Sequence, residues 1–196
     1  NKEFLEAVRN LCDEQDLLLM FDEVQCGVGR SGHLFAHENF AVLPDVMALA
    51  KGLGGGFPIG VCLTTKAVAD PMIVGTHGST FGGNPLAAAV GNAVLDLVLD
   101  KTLLGGVKAK GQFLQQALEG LVAKHPEKIE SVHGLGLMLG LKCTVPCADL
   151  LVALRNNQLL VGKSGSNMIR LLPPLNVSQE HIEKAVSVID ATLAGM

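Results

Sequence analysis

Three stretches of this chain carry residue types at spacings that could do chemistry. In "LLLMFDEVQCGVGRSGHLF", residues 17–35, an apolar run ends in Asp22 and Glu23, and Gly27-Val28-Gly29-Arg30-Ser31-Gly32 follows as a literal G-x-G-x-x-G. In "VMALAKGLGGGFPIG", residues 46–60, Lys51 closes a second apolar run and is followed at once by glycines. Further on, "THGSTFGGN" carries Ser79 and Thr80, and "IRLLPP" carries Arg170.

A dinucleotide-binding turn needs a helix directly after its glycines, so that the helix N-terminus meets a pyrophosphate. The residues that follow, "HLFAHENFAVLPD", have poor helical periodicity, and the acids precede the glycines instead of following them by about 20 residues. Asp45 fits the ribose-binding role weakly, so a flexible loop is the expectation for these glycines. The acids carry more. Asp22 and Glu23 lie where a buried strand emerges, the end of an open α/β sheet at which ligands bind. A carboxylate buried there calls for a cationic partner; otherwise it caps a turn. Lys51, between a hydrophobic strand and a loop without side chains, is expected to be partly desolvated and nucleophilic toward carbonyls. The alternative is a lysine snorkelling out of a strand end.

Taken together, an Asp on one strand end and a Lys on the next meet the needs of pyridoxal phosphate. That cofactor requires a Lys for its Schiff base and an acid that keeps the pyridine nitrogen protonated. Neither a metal nor a nicotinamide is called for.

The elements that must position these residues are legible from periodicity. Apolar positions at helical spacing predict a helix over 3–13, and residues 17–21 form a short continuous run expected of a strand covered on both faces. Strands are expected near 46–50 and 59–64, a short helix at 66–72, and a long helix from about Pro85. Beyond residue 103 the pattern predicts a helix stopped by Pro126, strand-turn-strand through "IESVHGLGLMLGLKC", and a helix over "ADLLVALRNNQ". Two short strands closed by Pro173-Pro174 follow, then a final helix capped by Ser178. The expected organisation is α/β over 1–82, a linker helix over 83–103, and a small α+β domain over 104–196.

The composition narrows the classes further. The chain has 196 residues, a net charge of −4 and no basic run interleaved with aromatics, which disfavours nucleic acid. No apolar stretch approaches the ~20 residues of a membrane helix. Five cysteines, an odd number, fit a reducing compartment, and Cys143 with Cys147 lack the matching Cys/His pair of a metal site. The chain opens at Asn1 in mid-pattern, as the C-terminal part of something longer would.

"LLLMFDEVQCGVGRSG", "PDVMALAKGLGGGFPIG", "THGSTFGGNPLA" and "IRLLPPLNVS" together resemble the class III (ornithine-type) aminotransferases of fold type I, across essentially all 196 residues. The resemblance implies part of the large α/β domain plus the small α+β C-terminal domain, and a pyridoxal 5′-phosphate-dependent enzyme. Asp22 would pair with the pyridine nitrogen, Gln25 would lie near the ring hydroxyl, and Glu23 and Val24 would complete that cofactor-contacting strand end. Lys51 would form the Schiff base and shuttle the proton. Thr80 would reach the cofactor phosphate of a neighbouring subunit and Ser79 its substrate, which implies a homodimer with shared active sites. Arg170 would clamp a substrate carboxylate.

Within the family the likeness is greatest to the enzymes acting on N-acetylornithine, which implies amino transfer to 2-oxoglutarate in arginine biosynthesis, in the cytoplasm. Ornithine, succinylornithine and 4-aminobutyrate are the rival donors, and a fragment inactive without its N-terminal half is the rival of another kind. Two departures stand out. The family's first half, with its phosphate loop and ring-stacking aromatic, is absent, and the chain has no Trp or Tyr to replace that aromatic. Cys26 stands where relatives often have Thr.

Overall fold

The computed structural model describes all 196 residues. They form two compact units, Asn1–Gly29 with His33–Leu104, and Arg30–Gly32 with Gly105–Met196.

The first unit begins with α1 (Lys2–Glu14), whose N-terminus is capped by the Asn1 side chain accepting from the Glu3 N–H. Its buried face sets Cys12 against Leu19 and Val42, with Phe21 and Phe40 packed alongside. Strands β1 (Met20–Asp22), β2 (Val46–Leu49) and β3 (Val61–Thr64) form a sheet in the order β1-β2-β3. β1 runs parallel to β2, and β3 antiparallel to it. Asp45 fastens α1 to the sheet entrance by accepting from Arg9 Nη1 and from the Leu19 N–H, both at 2.8 Å. The short α2 (Lys66–Ala69) and then α3 (Pro85–Val98) follow, α3 opened by Asn84 accepting from the Ala87 N–H with Pro85 in the first turn.

The run expected as a strand buried on both faces is not one. Leu19 is buried while Leu17, Leu18 and Met20 are 54%, 57% and 66% exposed. β1 is the edge of a three-stranded sheet, and only the face holding Leu19 and Phe21 packs within this unit. The segment read as one linker helix is also two helices. Asp100 interrupts it, its carboxylate accepting from the Thr102 N–H at 2.7 Å and so starting α4 (Lys101–Lys124).

The second unit is built on α4, β4 (Ile129–Leu135), β5 (Met138–Cys143), α5 (Cys147–Asn156), β6 (Gly162–Ser164), β7 (Met168–Leu171) and α6 (Gln179–Gly195). Its sheet has the order β4-β5-β7-β6 with every pairing antiparallel. Val107, Leu114, Leu118 and Leu121 of α4 recur at helical spacing and meet Leu139 and Leu141 of β5. Leu150 and Leu154 of α5 and Ile182, Ile189 and Leu193 of α6 complete one continuous core. Each such side chain contributes about 2 kcal/mol on burial. No helix is long and apolar enough to cross a membrane.

Candidate active site

Register brings Asp22 and Lys51 together. Because β1 and β2 are parallel, with Asp22 opposite Ala48 and the Glu23 N–H donating to Ala48 O at 3.0 Å, both strands end on the same edge. That carboxyl edge is where open α/β sheets receive ligands. Lys51 follows closely on the end of β2 and opens a single 3₁₀ turn, Lys51–Gly54. Its φ is +42°, a left-handed conformation that costs an L-residue about 1–2 kcal/mol. Asp22 Oδ1 accepts from the Val24 N–H at 2.9 Å, which closes the turn after β1.

Both side chains are exposed. The buried, cation-paired Asp and the desolvated Lys expected from the sequence are therefore not what this chain provides. One face of β1 is exposed, and in the turn after Lys51 the chain buries Leu53 and Gly54 but leaves Gly52, Gly55 and Gly56 exposed.

Glu23 is the buried acid instead, only 3% exposed. Its carboxylate accepts from the Ala36 N–H at 2.6 Å and the His37 N–H at 2.8 Å, and lies 2.9 Å from His37 Nδ1. His37 stacks on Phe35 with ring centroids 5.7 Å apart. The Glu23 side chain, grouped at first with the cofactor contacts, is thus committed to holding the 35–37 loop. Val24 and Gln25 are half-buried in the turn between these two acids and the glycines. Cys26 Sγ lies 3.8 Å from Asp22 O, and burial, followed by the neighbouring Glu23 and Asp22 charges, raises its pKa and keeps the thiol protonated.

The glycine run is packed rather than flexible. Gly27, Val28, Gly29, Ser31 and Gly32 are all buried, and no helix beyond the four-residue 3₁₀ turn Ala36–Asn39 follows. Within the second unit, a side chain at Gly32 would collide with the stem of Lys108.

Ser79 and Thr80 lie on an exposed loop of the first unit, where Ser79 Oγ accepts from the Gly82 N–H at 2.8 Å. Beside it a groove of about 640 Å³ runs between Leu53, Ile59, Phe81, Ala87 and Gly91. Arg170 is on β7 in the second unit, in register with Gly140 on one side and Gly162 on the other. Its guanidinium lies over Gly162, where a Cβ would be 3.6 Å from Nη2. Asp22 and Lys51 are hence neighbours at one strand edge, Ser79 and Thr80 belong to a separate loop of that unit, and Arg170 belongs to the other unit.

Residues 1–193 match the aminotransferase class-III family. The chain belongs to that family. The acetylornithine aminotransferase of Mesorhizobium japonicum is 52% identical over 192 residues, covering 98% of this chain and 48% of that protein. Among solved structures, the acetylornithine aminotransferase of Elizabethkingia anophelis superimposes with a TM-score of 0.92 at 36% identity, over 100% of this chain and 50% of that one. The ornithine aminotransferase of Toxoplasma gondii, described with partial occupancy of PLP at its active site, gives 0.91 at 30% identity over 98% and 46%. The chain therefore spans about half the length of the relatives it matches.

Class III aminotransferases depend on pyridoxal phosphate, and the residues here fit that group chemically. An amine and a carboxylate stand at adjacent strand ends, and neither is drawn into an ion pair within the chain. The left-handed Lys51 is strain of the kind that collects at functional sites. Neither Lys51 φ nor the Glu23–His37 clasp has a signature in the sequence; the nearest signal for the clasp is the pair of acids followed by "FAHEN".

Proposed function

We propose that the whole protein transfers the terminal amino group of N-acetylornithine to 2-oxoglutarate, a step of arginine biosynthesis, using pyridoxal 5′-phosphate at the ends of β1 and β2. The observation that carries this reading is the parallel register that sets Asp22 opposite Ala48, just before Lys51. When bound, the cofactor supplies an aldehyde that takes up an amine and a protonated ring that withdraws electrons from the carbon beside it. The Lys51 amine would hold it covalently and would serve as the base that moves the proton at the carbon bearing the transferred nitrogen. The Asp22 carboxylate would hold the proton on the ring nitrogen, and Gln25 beside Val24 would contact the ring hydroxyl. Glu23 fixes the strand end through the 35–37 loop. Arg170 binds a substrate carboxylate as a planar fork.

Thr80 and Ser79 serve the phosphate and the substrate in a partner subunit, so the competent unit is a homodimer. In support, the loop before them leaves Met72, Ile73 and Val74 exposed, with Phe81 80% exposed beyond. A surface this apolar on one loop fits a protein contact. Five free cysteines support a reducing compartment, and with it a cytoplasmic location.

The same exposure favours a second reading, that these 196 residues are not a catalyst without the other half of the relatives' length. Borohydride reduction in the presence of pyridoxal phosphate, followed by peptide mapping, tests both on this chain and on the full-length protein. A phosphopyridoxyl adduct on Lys51 in the full-length protein is expected. An unmodified Lys51 there would refute the assignment, whereas an adduct absent only from the shorter chain would establish the second reading.

A further inference from the structure

Arg30 is the residue of the "GVGRSG" run that the proposed chemistry does not use, and it is the one most thoroughly engaged within the second unit. Its backbone C=O accepts from the Leu137 N–H at 3.0 Å, and its Nη1 donates to Leu137 O at 3.1 Å and to Pro173 O at 2.5 Å. These two carbonyls have a definite relation to the sheet. The last pair between β5 and β7 is Leu139 with Leu171, and Leu137 and Pro173 each lie two residues beyond it. One guanidinium nitrogen bridges the open end of that ribbon, where strand-to-strand hydrogen bonds have stopped. Arg170 pairs with Gly140 immediately inside the same end.

The clasp is also closed from behind. Gly136, at φ +56°, leaves no room for a side chain, since a Cβ there would lie 2.6 Å from Arg30 O and 2.8 Å from Ser31. A Cβ at Gly111 of α4 would in turn lie 2.7 Å from the Gly136 backbone. The helix, the β4–β5 turn and residues 30–32 are thereby stacked at backbone contact. Burial lowers the Arg30 pKa, yet a guanidinium stays charged, and a charged donor makes the stronger bond to a carbonyl.

We infer that Arg30 is a positioning residue for Arg170: it staples the end of the β5–β7 ribbon and so holds the carboxylate-binding guanidinium in place. The inference rests on the reading of Arg170 given above. It makes Arg30, which directly follows Gly27–Gly29 in the sequence, responsible for the geometry of the substrate clamp.

The test uses the full-length protein with Arg30→Gln, Arg30→Lys and Arg170→Gln. Steady-state KM and kcat are measured for the carboxylate-bearing donor and for an alkylamine of similar length without a carboxylate. Binding of glutarate to the resting protein is measured by calorimetry. Arg30→Gln should raise KM for the carboxylate donor and for 2-oxoglutarate roughly tenfold to a hundredfold and weaken glutarate to match, with kcat and the plain amine nearly unaffected. Arg30→Lys, which keeps a charged donor, should show the same selectivity at smaller size, and it provides the comparison if the Gln variant does not fold. Equal losses for both donors would reduce Arg30 to a structural residue and overturn the inference. Glutarate binding intact in Arg30→Gln but lost in Arg170→Gln would overturn it while leaving Arg170 in its role. Glutarate binding intact in Arg170→Gln would remove both.

Discussion

Replacing Gly111 by alanine should destabilise the second unit, whereas the same change at Gly120, further along α4, should stabilise it. Both are interior positions of one helix, and alanine there is worth about 1 kcal/mol over glycine. At Gly120 nothing lies within 4 Å of the added Cβ, so that gain is realised in full. At Gly111 the Cβ would be 2.7 Å from three backbone atoms of Gly136, and ordinary contact begins at 3.4 Å. Helix and turn would have to separate by roughly 0.7 Å, and the turn cannot yield without loosening the bonds between Arg30 and Leu137. Overpacking of this kind costs about 1–3 kcal/mol, so after the helical gain Gly111→Ala should lose up to about 2 kcal/mol. The helical gain is common to both, so the two variants then differ by the overpacking cost of about 1–3 kcal/mol. The chain has no Trp or Tyr, so urea unfolding is best followed by far-ultraviolet circular dichroism. With m-values of about 1–3 kcal/mol per molar, the midpoints should separate by roughly 1 M at unchanged slope. A Gly111→Ala midpoint equal to or above that of Gly120→Ala would refute the backbone contact between α4 and the β4–β5 turn.

Lys51→Gly should abolish borohydride-trapped cofactor while leaving the unfolding midpoint unchanged or raised by up to about 1 kcal/mol, because glycine relieves the left-handed φ of +42°; a clear loss of stability would mean that Lys51 is a structural residue. Glu23→Ala should cost about 3 kcal/mol, since it strands the buried His37 N–H, the part-buried Ala36 N–H and His37 Nδ1, and Glu23→Gln, with one acceptor retained, about half that. Equal midpoints for wild type and Glu23→Ala would contradict the clasp. The pH dependence has a definite sign. Asp45 is held below the usual carboxylate range, first by its hydrogen bond to Arg9 and then by the Leu19 N–H, and Asp190 is held there by His125 and then Lys124. A carboxylate whose folded pKa is depressed contributes stability above its unfolded value of about 4, and that contribution disappears as pH falls through the folded value. Asp45→Asn and Asp190→Asn should therefore each lower stability at neutral pH and flatten its fall below about pH 4; parallel acid limbs in wild type and variants would count against these pairs.

The sequence by itself determined the order of the elements and singled out the pair proposed to react. Helical spacing in 101–124 and 179–195, the stops at Pro126 and Pro173-Pro174, and the cap at Ser178 are local signals, and the structure follows them. A carboxylate and an amine closing successive apolar runs, each ahead of glycines, are likewise readable in one dimension. What only tertiary structure decided are the relations between residues far apart. Whether Asp22 and Lys51 are neighbours depends on β1 and β2 being parallel and in register, which neither run specifies alone. The glycines of "GVGRSG" read as flexible because glycine is locally permissive; they are packed because Arg30 reaches Leu137, 107 positions away, and Gly136 and Gly32 admit backbone and Lys108 where side chains would block them. Glu23 looks like Asp22's twin in sequence, but alternation along the strand end sends one to solvent and the other into the clasp with His37. Propensity and capping act over a few residues and are written in the chain; register, burial and backbone contact exist only once distant segments meet.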